Sequence, residues 1–360
     1  MTPARRSAGA QDPSGPEKTD NNRGRGRKGE LSFDTMTKHL LRAASEGPLA
    51  LLIHARPDGD CVGSAYALAE LLRCVGCETA VVCSDRMPSR LSVLAPDGRG
   101  FEAGVPEGRF GEGAKAVALD VGASSQLGSL EGKYDVVLTI DHHAGSAPFS
   151  PGYLDASASA TGEIVWRIAR NWYRTGVISG IPDGVAYACY AAISSDTGCF
   201  RYSNVTAATH RIAAQLVGMV PDHAGIDRRL FEIKTPGRIA AEKAAIELLR
   251  SYHGGDIAVC PISREQILES GLPYEELDAL IDVARSVDGV KLAFSVRGER
   301  DGTYRVSARS NSDIDVSQIC AGFGGGGHVK AAGCTVRAAS IEEATHMVVA
   351  AAEKKLPGGN

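Results

Sequence analysis

The apolar run at residues 136–140 ends in Asp141-His142-His143, and this junction constrains the fold more than any other part of the 360-residue sequence. Three more apolar runs end in the same way: residues 51–53 lead into His54-Ala55-Arg56-Pro57-Asp58-Gly59-Asp60, residues 116–119 into Asp120, and residues 191–195 into Asp196. In an open α/β sheet, ligands gather beyond the carboxyl ends of the strands. We therefore interpret the four runs as strands whose ends build one site.

The clustered carboxylates of this site predict bound cations. A single Asp after an apolar run is usually a helix cap or a turn residue. Five Asp and three His at four converging strand ends would repel one another unless a cation compensates them. The donor set is carboxylate-rich with imidazoles and no well-placed thiolate, which favours Mn²⁺, with Mg²⁺ as the alternative, over structural zinc. Asp58 and Asp60 lie two residues apart and can face neighbouring ions, as in two-metal sites that act on phosphorus.

These motifs resemble those of the DHH phosphoesterase superfamily and occur in the same order. The residues that carry the resemblance are His54-x-x-Pro57-Asp58-Gly59-Asp60-x-x-Gly63-Ser64, Asp120, Asp141-His142-His143 and Asp196. The resemblance implies two divalent cations with Asp120 between them. It assigns His54, Asp58 and Asp120 to one ion, and Asp60, Asp120, His142 and Asp196 to the other.

The resemblance also implies roles around the ligands. Asp141 would orient His142 from outside the metal shell, and His143 would meet the substrate phosphate and stabilise charge there. Asp120 and His143 are therefore the predicted catalytic residues. The two ions would lower the pKa of a bound water, so that hydroxide attacks phosphorus near neutral pH. Cys61 departs from the family pattern, in which a small residue such as Ala is usual, and its thiol would make the site sensitive to oxidation.

The fold class predicted from the pattern is α/β. Strands and helices alternate from Leu49 to about Ser203, which is typical of a doubly wound parallel sheet. Gly59 and Gly63 are interpreted as turn positions before a helix at residues 62–73, and Thr161 and Glu163 as caps of a later helix. A helical pattern follows from Ala207 to Arg250. A second, smaller α/β segment then has strands at 257–260, 290–297, 304–309 and 333–336, and helices at 274–286, 316–320 and from Ile341.

The predicted domain organisation has four parts. They are a disordered tail at 1–30, a DHH catalytic domain at 31–225, a helical linker at 226–250, and a DHH-associated substrate-binding domain at 251–355 across a cleft. The tail is basic and rich in Gly, Pro, Ser and Asn, without the apolar stretch of a secretory signal. The sequence has no run of 18 apolar residues, so no membrane span is predicted. A cytoplasmic enzyme is expected.

The segment Phe323-Gly324-Gly325-Gly326-Gly327-His328 is interpreted as an ordered loop whose bare backbone can wrap an anion. It satisfies GxGxxG only formally, because a dinucleotide fingerprint follows a strand and opens a long helix. It resembles the GGGH motif of the DHH-associated domain. This resemblance implies that Gly325, Gly326, Gly327 and His328 bind substrate. Arg309 and Ser310, which end a strand upstream, would help to hold the far phosphate or the sugar.

The net charge of -4 excludes the strongly basic balance of a tight duplex binder, so a nucleic-acid substrate should be short. The nine cysteines are expected to be reduced thiols, because the chain is expected to stay inside the cell. Cys74-x-x-Cys77 has no second CxxC partner, which argues against a zinc or redox motif.

The stretch from Asp196 to Asn204 resembles oligoribonucleases that also act on 3′-phosphoadenosine 5′-phosphate. We therefore predict a metal-dependent phosphodiesterase that degrades very short single-stranded RNA, including dinucleotides, to mononucleotides and also dephosphorylates this bisphosphate. Arg201 would contact phosphate. Phe200 or Tyr202 either stacks a base or belongs to the core. A homodimer is compatible with the sequence.

Three alternative functions stay open at this stage. The first is hydrolysis of cyclic di-AMP or of a linear dinucleotide. A less favoured alternative is an exopolyphosphatase or pyrophosphatase, although a pyrophosphatase would need a cluster of Lys and Arg. A catalytically inactive nucleotide-sensing module is the third, and the intact ligand set argues against it.

Overall fold

The computed structural model describes residues 29–94, 100–101, 103–146, 149–300 and 302–356. The predicted tail lies outside the described residues except for its last two positions. The chain divides into two compact units, Met1–Glu232 and Ile233–Asn360, and the division falls inside the predicted linker. Among the described helices, none is long and apolar enough to cross a membrane.

The first unit is built on a five-stranded parallel sheet with the order β2-β1-β3-β4-β5. Its strands are β1 (Leu49–Leu52), β2 (Thr79–Val82), β3 (Lys115–Leu119), β4 (Asp135–Asp141) and β5 (Gly152–Leu154). Its α-helices are α1 (Phe33–Glu46), α2 (Gly59–Arg73), α3 (Thr161–Arg174), α4 (Asp183–Asp196), α5 (Ala207–Val217) and α6 (His223–Phe231). The predicted α/β class is confirmed.

The strand order reverses between β1 and β3, the position at which open α/β sheets usually bind ligands. The chain leaves β1 towards β2 on one side and returns to β3 on the other, so this is the point where the order reverses. Every residue of β1 is buried, as expected for a strand covered on both faces. One face carries the apolar core that includes Leu68, Trp166 and Trp172. The other face is covered in part by a 3₁₀ helix at Ser124–Leu130.

The predicted strand at residues 191–195 is wrong, because these residues form the end of α4. A short apolar run cannot be distinguished from part of a buried helix by periodicity alone. From Val185 to Ser194 all residues but one are buried, and a helix that is apolar on all sides belongs in a core. The alanine-rich composition of this run was the signal for helix.

The interpretation of Gly59 and Gly63 as turn positions is also wrong. Both residues lie inside α2, where it packs against α4. A Cβ atom at Gly59 would lie 2.0 Å from Ser195 Oγ, and one at Gly63 would lie 2.8 Å from Ala188 O. The two glycines are therefore needed for the close approach of the two helices, not for a turn.

The second unit contains a mixed six-stranded sheet with the order β10-β11-β9-β8-β7-β6, in which only β7 and β8 run parallel. Its strands are β6 (Arg250–Tyr252), β7 (Ile257–Ile262), β8 (Leu292–Gly298), β9 (Thr303–Ser310), β10 (Gly326–His328) and β11 (Ala331–Arg337). Its α-helices are α7 (Pro236–Leu248), α8 (Arg264–Ser270), α9 (Ala279–Arg285), α10 (Val316–Ala321) and α11 (Ile341–Glu353). The four predicted strands and the two predicted C-terminal helices of this unit are confirmed. The predicted helix at 274–286 is split into a 3₁₀ turn at Tyr274–Glu276 and α9.

The second half of the glycine segment forms a strand, β10 (Gly326–His328), where a loop was predicted, whereas residues 323–325 form the turn and loop that precede it. β10 pairs antiparallel with β11, with Gly326 opposite Gly333 and His328 opposite Ala331. Glycine has low strand propensity, so the glycine-rich sequence did not predict this strand. In the same sheet Ala331 also faces Arg309 of β9. β11 thus lies between the strand that contains Gly326–His328 and the strand that contains Arg309.

Candidate metal centre

The predicted ligands converge at the carboxyl edge of the first sheet. His54 follows β1, Asp58 caps α2, Asp120 follows β3, His142 follows β4, and Asp196 ends α4. The donor atoms fall into three groups in which all atoms lie within 4.8 Å of one another: His54, Asp58, Cys61 and Asp120; Asp60, His142 and Asp196; Asp120, His142 and His143. The structure therefore brings together every residue predicted to hold metal.

The spacing of the first set suits an ion between the donors. His54 Nε2 lies 3.6 Å from Asp58 Oδ2 and 3.7 Å from Asp120 Oδ2. These distances are too long for hydrogen bonds. Two ligand atoms about 2.1 Å from a common ion lie about 3–3.6 Å apart, depending on the bond angle. The residues present therefore fit a small divalent cation.

The second set has the same spacing and shares Asp120 with the first. His142 Nε2 lies 3.6 Å from Asp60 Oδ2, 3.5 Å from Asp120 Oδ1 and 3.7 Å from Asp196 Oδ2. Asp120 directs Oδ2 towards His54 and Oδ1 towards His142. One carboxylate can thus serve both sets, which supports the bridging role that the resemblance implies.

Main-chain carbonyls hold the two ligand imidazoles in the orientation that metal binding needs. His54 Nδ1 donates to Ala55 O at 2.9 Å, and His142 Nδ1 donates to Ala158 O at 3.1 Å. A carbonyl oxygen can only accept, so the ring proton lies on Nδ1 and the Nε2 lone pair faces the carboxylates.

Asp141 holds the ring of His143, which corrects the expectation that it orients the ring of His142. Asp141 Oδ1 accepts a hydrogen bond from the ring Nδ1 of His143 at 2.7 Å. From His142 it accepts a hydrogen bond from the main-chain N–H, at 2.8 Å, and not from the ring. The hydrogen bond between Asp141 and the ring of His143 is the largest cause that raises the pKa of His143, and it outweighs burial, which lowers it. A protonated His143 is suited to donate to a phosphoryl oxygen.

Thr161 contributes to the site, although its position in the sequence predicted only a helix cap. Its hydroxyl donates to Asp120 Oδ1 at 3.0 Å, and its main-chain N–H donates to Asp60 Oδ2 at 2.6 Å. The N-cap of α3 is Ala160, whose side chain makes no capping bond. A Thr in the first turn of a helix gives the same sequence signal for both roles. Ser64, whose hydroxyl donates to Asp60 Oδ1 at 2.9 Å, also belongs to this outer shell.

The turn after Asp196 is hydrogen-bonded to the site, and its two aromatic residues differ in burial. Asn204 Nδ2 donates to Asp196 Oδ2 at 3.3 Å. Phe200 stacks on His210, with ring centroids 6.0 Å apart, and packs against the core. Tyr202 is 44% exposed, so it is the aromatic residue of this turn that can meet a ligand. The guanidinium of Arg201 donates to Gly198 O at 2.6 Å.

The main chain is strained at three places near the predicted ligands. Arg56, which lies between His54 and Asp58, has φ of 55°. Asp120 has φ of 60°, and Cys199 and Phe200 have φ of 58° and 60°. Residues other than glycine rarely adopt this left-handed region, and such residues concentrate at functional sites.

The electrostatics of the site also fit a bound cation. Burial is the largest cause that raises the pKa of Asp60, Asp120 and Asp196, and neighbouring carboxylates add to it. The pKa of Asp196 rises to about 7. Within the described part of the chain, all ion pairs of these carboxylates are with histidines. Without a cation, the cluster has more negative charge than its surroundings compensate.

The residues of the second unit that were predicted to bind substrate lie at the end of β9, in β10 and, for Gly325, just before β10. Arg309 is half-buried, and its guanidinium donates to Ala308 O at 3.0 Å. Ser310 is buried, and its hydroxyl donates to Ser312 O at 2.8 Å. Ser310 therefore fixes the local turn.

Comparison with family models agrees with this geometry. The model for the DHH family, N-terminal domain, matches residues 49–193, and the DHHA1 domain model matches residues 255–354. The chain is a DHH-family phosphoesterase. It carries a DHH domain followed by a DHHA1 domain, as the motifs predicted.

Curated relatives of this DHH-family phosphoesterase include an oligoribonuclease and a cyclic dinucleotide phosphodiesterase. It is 28% identical over 318 residues to the bifunctional oligoribonuclease and PAP phosphatase NrnA of Thermus thermophilus, with 87% of this chain and 91% of the relative covered. It is 27% identical over 234 residues to the cyclic-di-AMP phosphodiesterase GdpP of Geobacillus thermodenitrificans, with 62% of this chain and 33% of that protein covered.

Solved structures show the same fold. An exopolyphosphatase-related protein of Bacteroides fragilis matches with a TM-score of 0.78 and 20% identity, covering 89% of this chain and 96% of that one. RecJ of Thermus thermophilus in complex with Mn²⁺ matches with a TM-score of 0.50 and 14% identity, covering 92% of this chain and 55% of that one. At these identities the likeness concerns the fold alone.

Replacing Thr161 by Val should weaken the metal centre. The change keeps the β-branched shape and removes the hydroxyl that donates to Asp120. Loss of such an outer partner typically costs about 10–100-fold in metal affinity or activity. Isothermal titration with Mn²⁺ would measure the change. Thr161→Ser, which keeps the hydroxyl, is the matched control and should bind like wild type. Equal Mn²⁺ affinity in the Val variant would contradict the role of Thr161.

Proposed function

We propose that the chain is a metal-dependent phosphodiesterase that degrades very short RNA to mononucleotides, and that it also removes the 3′-phosphate of 3′-phosphoadenosine 5′-phosphate. The observation that carries the proposal is the pair of ligand sets that share Asp120. The similarity to a bifunctional oligoribonuclease over most of both chains supports the choice of substrate.

His54, Asp58 and Asp120 would hold one ion, and Asp60, Asp120, His142 and Asp196 the other. When bound there, two Mn²⁺ ions would activate water and neutralise phosphate charge. Two imidazoles among the donors favour Mn²⁺ over Mg²⁺. The chain contributes the fixed rings of His54 and His142, and an acid in His143 that can donate to the phosphoryl oxygens or the leaving group.

Residues outside the metal centre would recognise the nucleotide. Arg309 and His328 are proposed to hold a phosphate, together with main-chain N–H groups of Gly326 and Gly327. The N–H of Gly325 donates to Cys320 O and does not take part. Tyr202 is proposed to stack on a base, because it is the exposed aromatic of the turn fixed to Asp196. In this proposal residues 31–225 form the catalytic domain and residues 251–355 the substrate-binding domain.

The test is hydrolysis by the full chain with Mn²⁺ of four substrates: a labelled dinucleotide, a five-nucleotide RNA, a long RNA, and 3′-phosphoadenosine 5′-phosphate. Fast conversion of the dinucleotide and the bisphosphate, with slow attack on long RNA, is the expected result. A dinucleotide that stays intact at high enzyme concentration would reject the proposal.

A second candidate is hydrolysis of cyclic di-AMP, which the similarity to GdpP favours. It uses the same centre and differs in the shape of the substrate. Parallel assays with cyclic di-AMP and with its linear product would separate the two. If the cyclic compound is cleaved faster than the linear dinucleotide, the second candidate replaces the first.

Replacing His328 by Ala should mainly raise KM. The residue belongs to the glycine strand and not to the metal centre, so we expect about a tenfold higher KM for the dinucleotide, the effect of losing about 1.4 kcal/mol of binding. Turnover should stay within about threefold, since uniform binding changes KM and not kcat. Steady-state kinetics would measure both. A kcat loss as large as that of a metal-ligand variant would contradict this division of roles.

A further inference from the structure

Two buried cysteines flank the glycine segment of the second unit. Cys320 lies near the end of α10 and Cys334 in β11, and both belong to the same apolar core with 1% and 9% exposure. Gly325 lies between them. Its N–H donates to Cys320 O at 2.9 Å, and a Cβ atom placed on it would lie 2.4 Å from Cys334 Cβ. The glycine main chain therefore brings the two cysteines together.

The pKa values of the two thiols shift in opposite directions. The hydrogen bond from Cys334 is the largest cause that lowers the pKa of Cys320; burial raises it, and the charge of Arg309 lowers it further. The same hydrogen bond raises the pKa of Cys334. A thiol with a lowered pKa, close to an arginine and hydrogen-bonded to a second thiol, is the arrangement of an attacking and a resolving cysteine.

Cys74 and Cys77, the pair spaced as CxxC, lack this arrangement. The Cys74 and Cys77 thiols donate to separate carbonyls, Glu70 O at 3.4 Å and Gly47 O at 3.4 Å. Burial raises the pKa of both. Cys74 is exposed, and this makes it a suitable internal control for general oxidation.

We infer that Cys320 and Cys334 form a reversible disulfide under a hydroperoxide, closing the chain around the glycine strand. The Cys320 thiolate attacks one peroxide oxygen and breaks the O–O bond, giving a sulfenic acid and hydroxide, which takes up the proton lost by Cys320. The Cys334 thiol then displaces the sulfenic oxygen as water. In total two thiols and one hydrogen peroxide give one disulfide and two waters, and a dithiol reductant reverses the change.

The cross-link would enclose β10 and the turn that leads into β11. It would also remove the thiolate beside Arg309. We expect oxidation to raise KM for the dinucleotide about fivefold, with kcat within about twofold, because the metal ligands lie in the other unit. This effect on activity rests on the proposed function, whereas the cross-link itself does not.

Peptide mapping of the oxidised full chain tests the cross-link directly. Trypsin cleaves after Arg309, Lys330 and Arg337, so that Cys320 and Cys334 fall in separate peptides, 310–330 and 331–337. After treatment with hydrogen peroxide and alkylation, the two peptides should appear as one species, two hydrogens lighter than their sum. Dithiothreitol should separate them and restore KM.

Variants complete the test. Cys334→Ser should abolish both the joined peptide and the reversible rise in KM, whereas Cys74→Ser should leave both unchanged. Wild-type mapping decides the inference even if Cys334→Ser does not fold. Separate peptides in wild type, under conditions that oxidise Cys74, would overturn it. If the peptides join but dinucleotide is never hydrolysed, the cross-link stands and the proposed function fails.

Discussion

Replacing Asp120 by Asn is expected to abolish phosphodiester hydrolysis. Asp120 is the carboxylate that faces both histidine-containing sets, and a neutral amide offers only one oxygen as ligand. Metal ions supply several kcal/mol of charge stabilisation in such reactions, so kcat should fall by more than about 10³-fold. Dinucleotide hydrolysis with saturating Mn²⁺ would measure the loss.

Asp135→Asn is the matched control for this variant. Asp135 is exposed and begins β4, at the end of the strand opposite to Asp141, so its replacement should leave kcat unchanged. The Asp120→Asn change should not unfold the protein, because removing a buried negative charge from a cluster of carboxylates is favourable in the absence of metal. A variant that folds and keeps a tenth of wild-type activity would contradict the bridging role of Asp120.

Removal of metal is expected to make stability fall as the pH rises. In an unfolded chain the pKa of an aspartate is about 3.9, whereas folding raises the pKa of Asp196 to about 7. The pKa values of Asp60 and Asp120 are also raised. Between about pH 4 and pH 7, the folded metal-free protein therefore binds more protons than the unfolded chain, and its stability decreases across this window. We expect the Tm of the chelated protein to be at least about 5 °C lower near pH 8 than near pH 5.

Thermal unfolding at several pH values, with chelator or with Mn²⁺, would measure this effect. Mn²⁺ should raise Tm most near pH 8, where the carboxylates are ionised, because a ligand of the folded state stabilises it. Asp196→Asn should flatten the pH dependence of the metal-free protein, whereas Asp135→Asn should not. A metal-free Tm that rises from about pH 5 to pH 8 would refute the account of the cluster.

The sequence predicted the site residues best where they lie at the end of a strand or helix. Asp120 and His142 were found because a buried strand ends just before them. Asp196 was also found, although its element was wrong, since the end of a buried helix and the end of a buried strand both deliver the next side chain to the sheet edge. To place Asp196 in the site, it was sufficient to predict that a buried element ends there, whether that element is a strand or a helix.

The contacts around the ligands could not be read from the chain. Thr161 lies 41 residues from Asp120, and a hydroxyl in a first helical turn predicts a cap and not a long-range bond. The partner of Asp141 was wrong for a similar reason, because which of two adjacent imidazoles meets a carboxylate depends on how the chain turns after β4. Phe200 and Tyr202 were equivalent by pattern, and only packing separates them.

The crossing of α2 and α4 has a consequence for the choice of ion. Asp60 and Asp196 belong to these two helices, and Gly59 and Gly63 leave no gap between the backbones. The distance across the second ligand set is therefore a property of the helix pair. Calcium, with bonds of about 2.3–2.6 Å against about 2.0–2.1 Å for magnesium, would have to push two packed backbones apart. We therefore expect two glycines outside the predicted ligand set to disfavour a larger cation such as calcium at this centre.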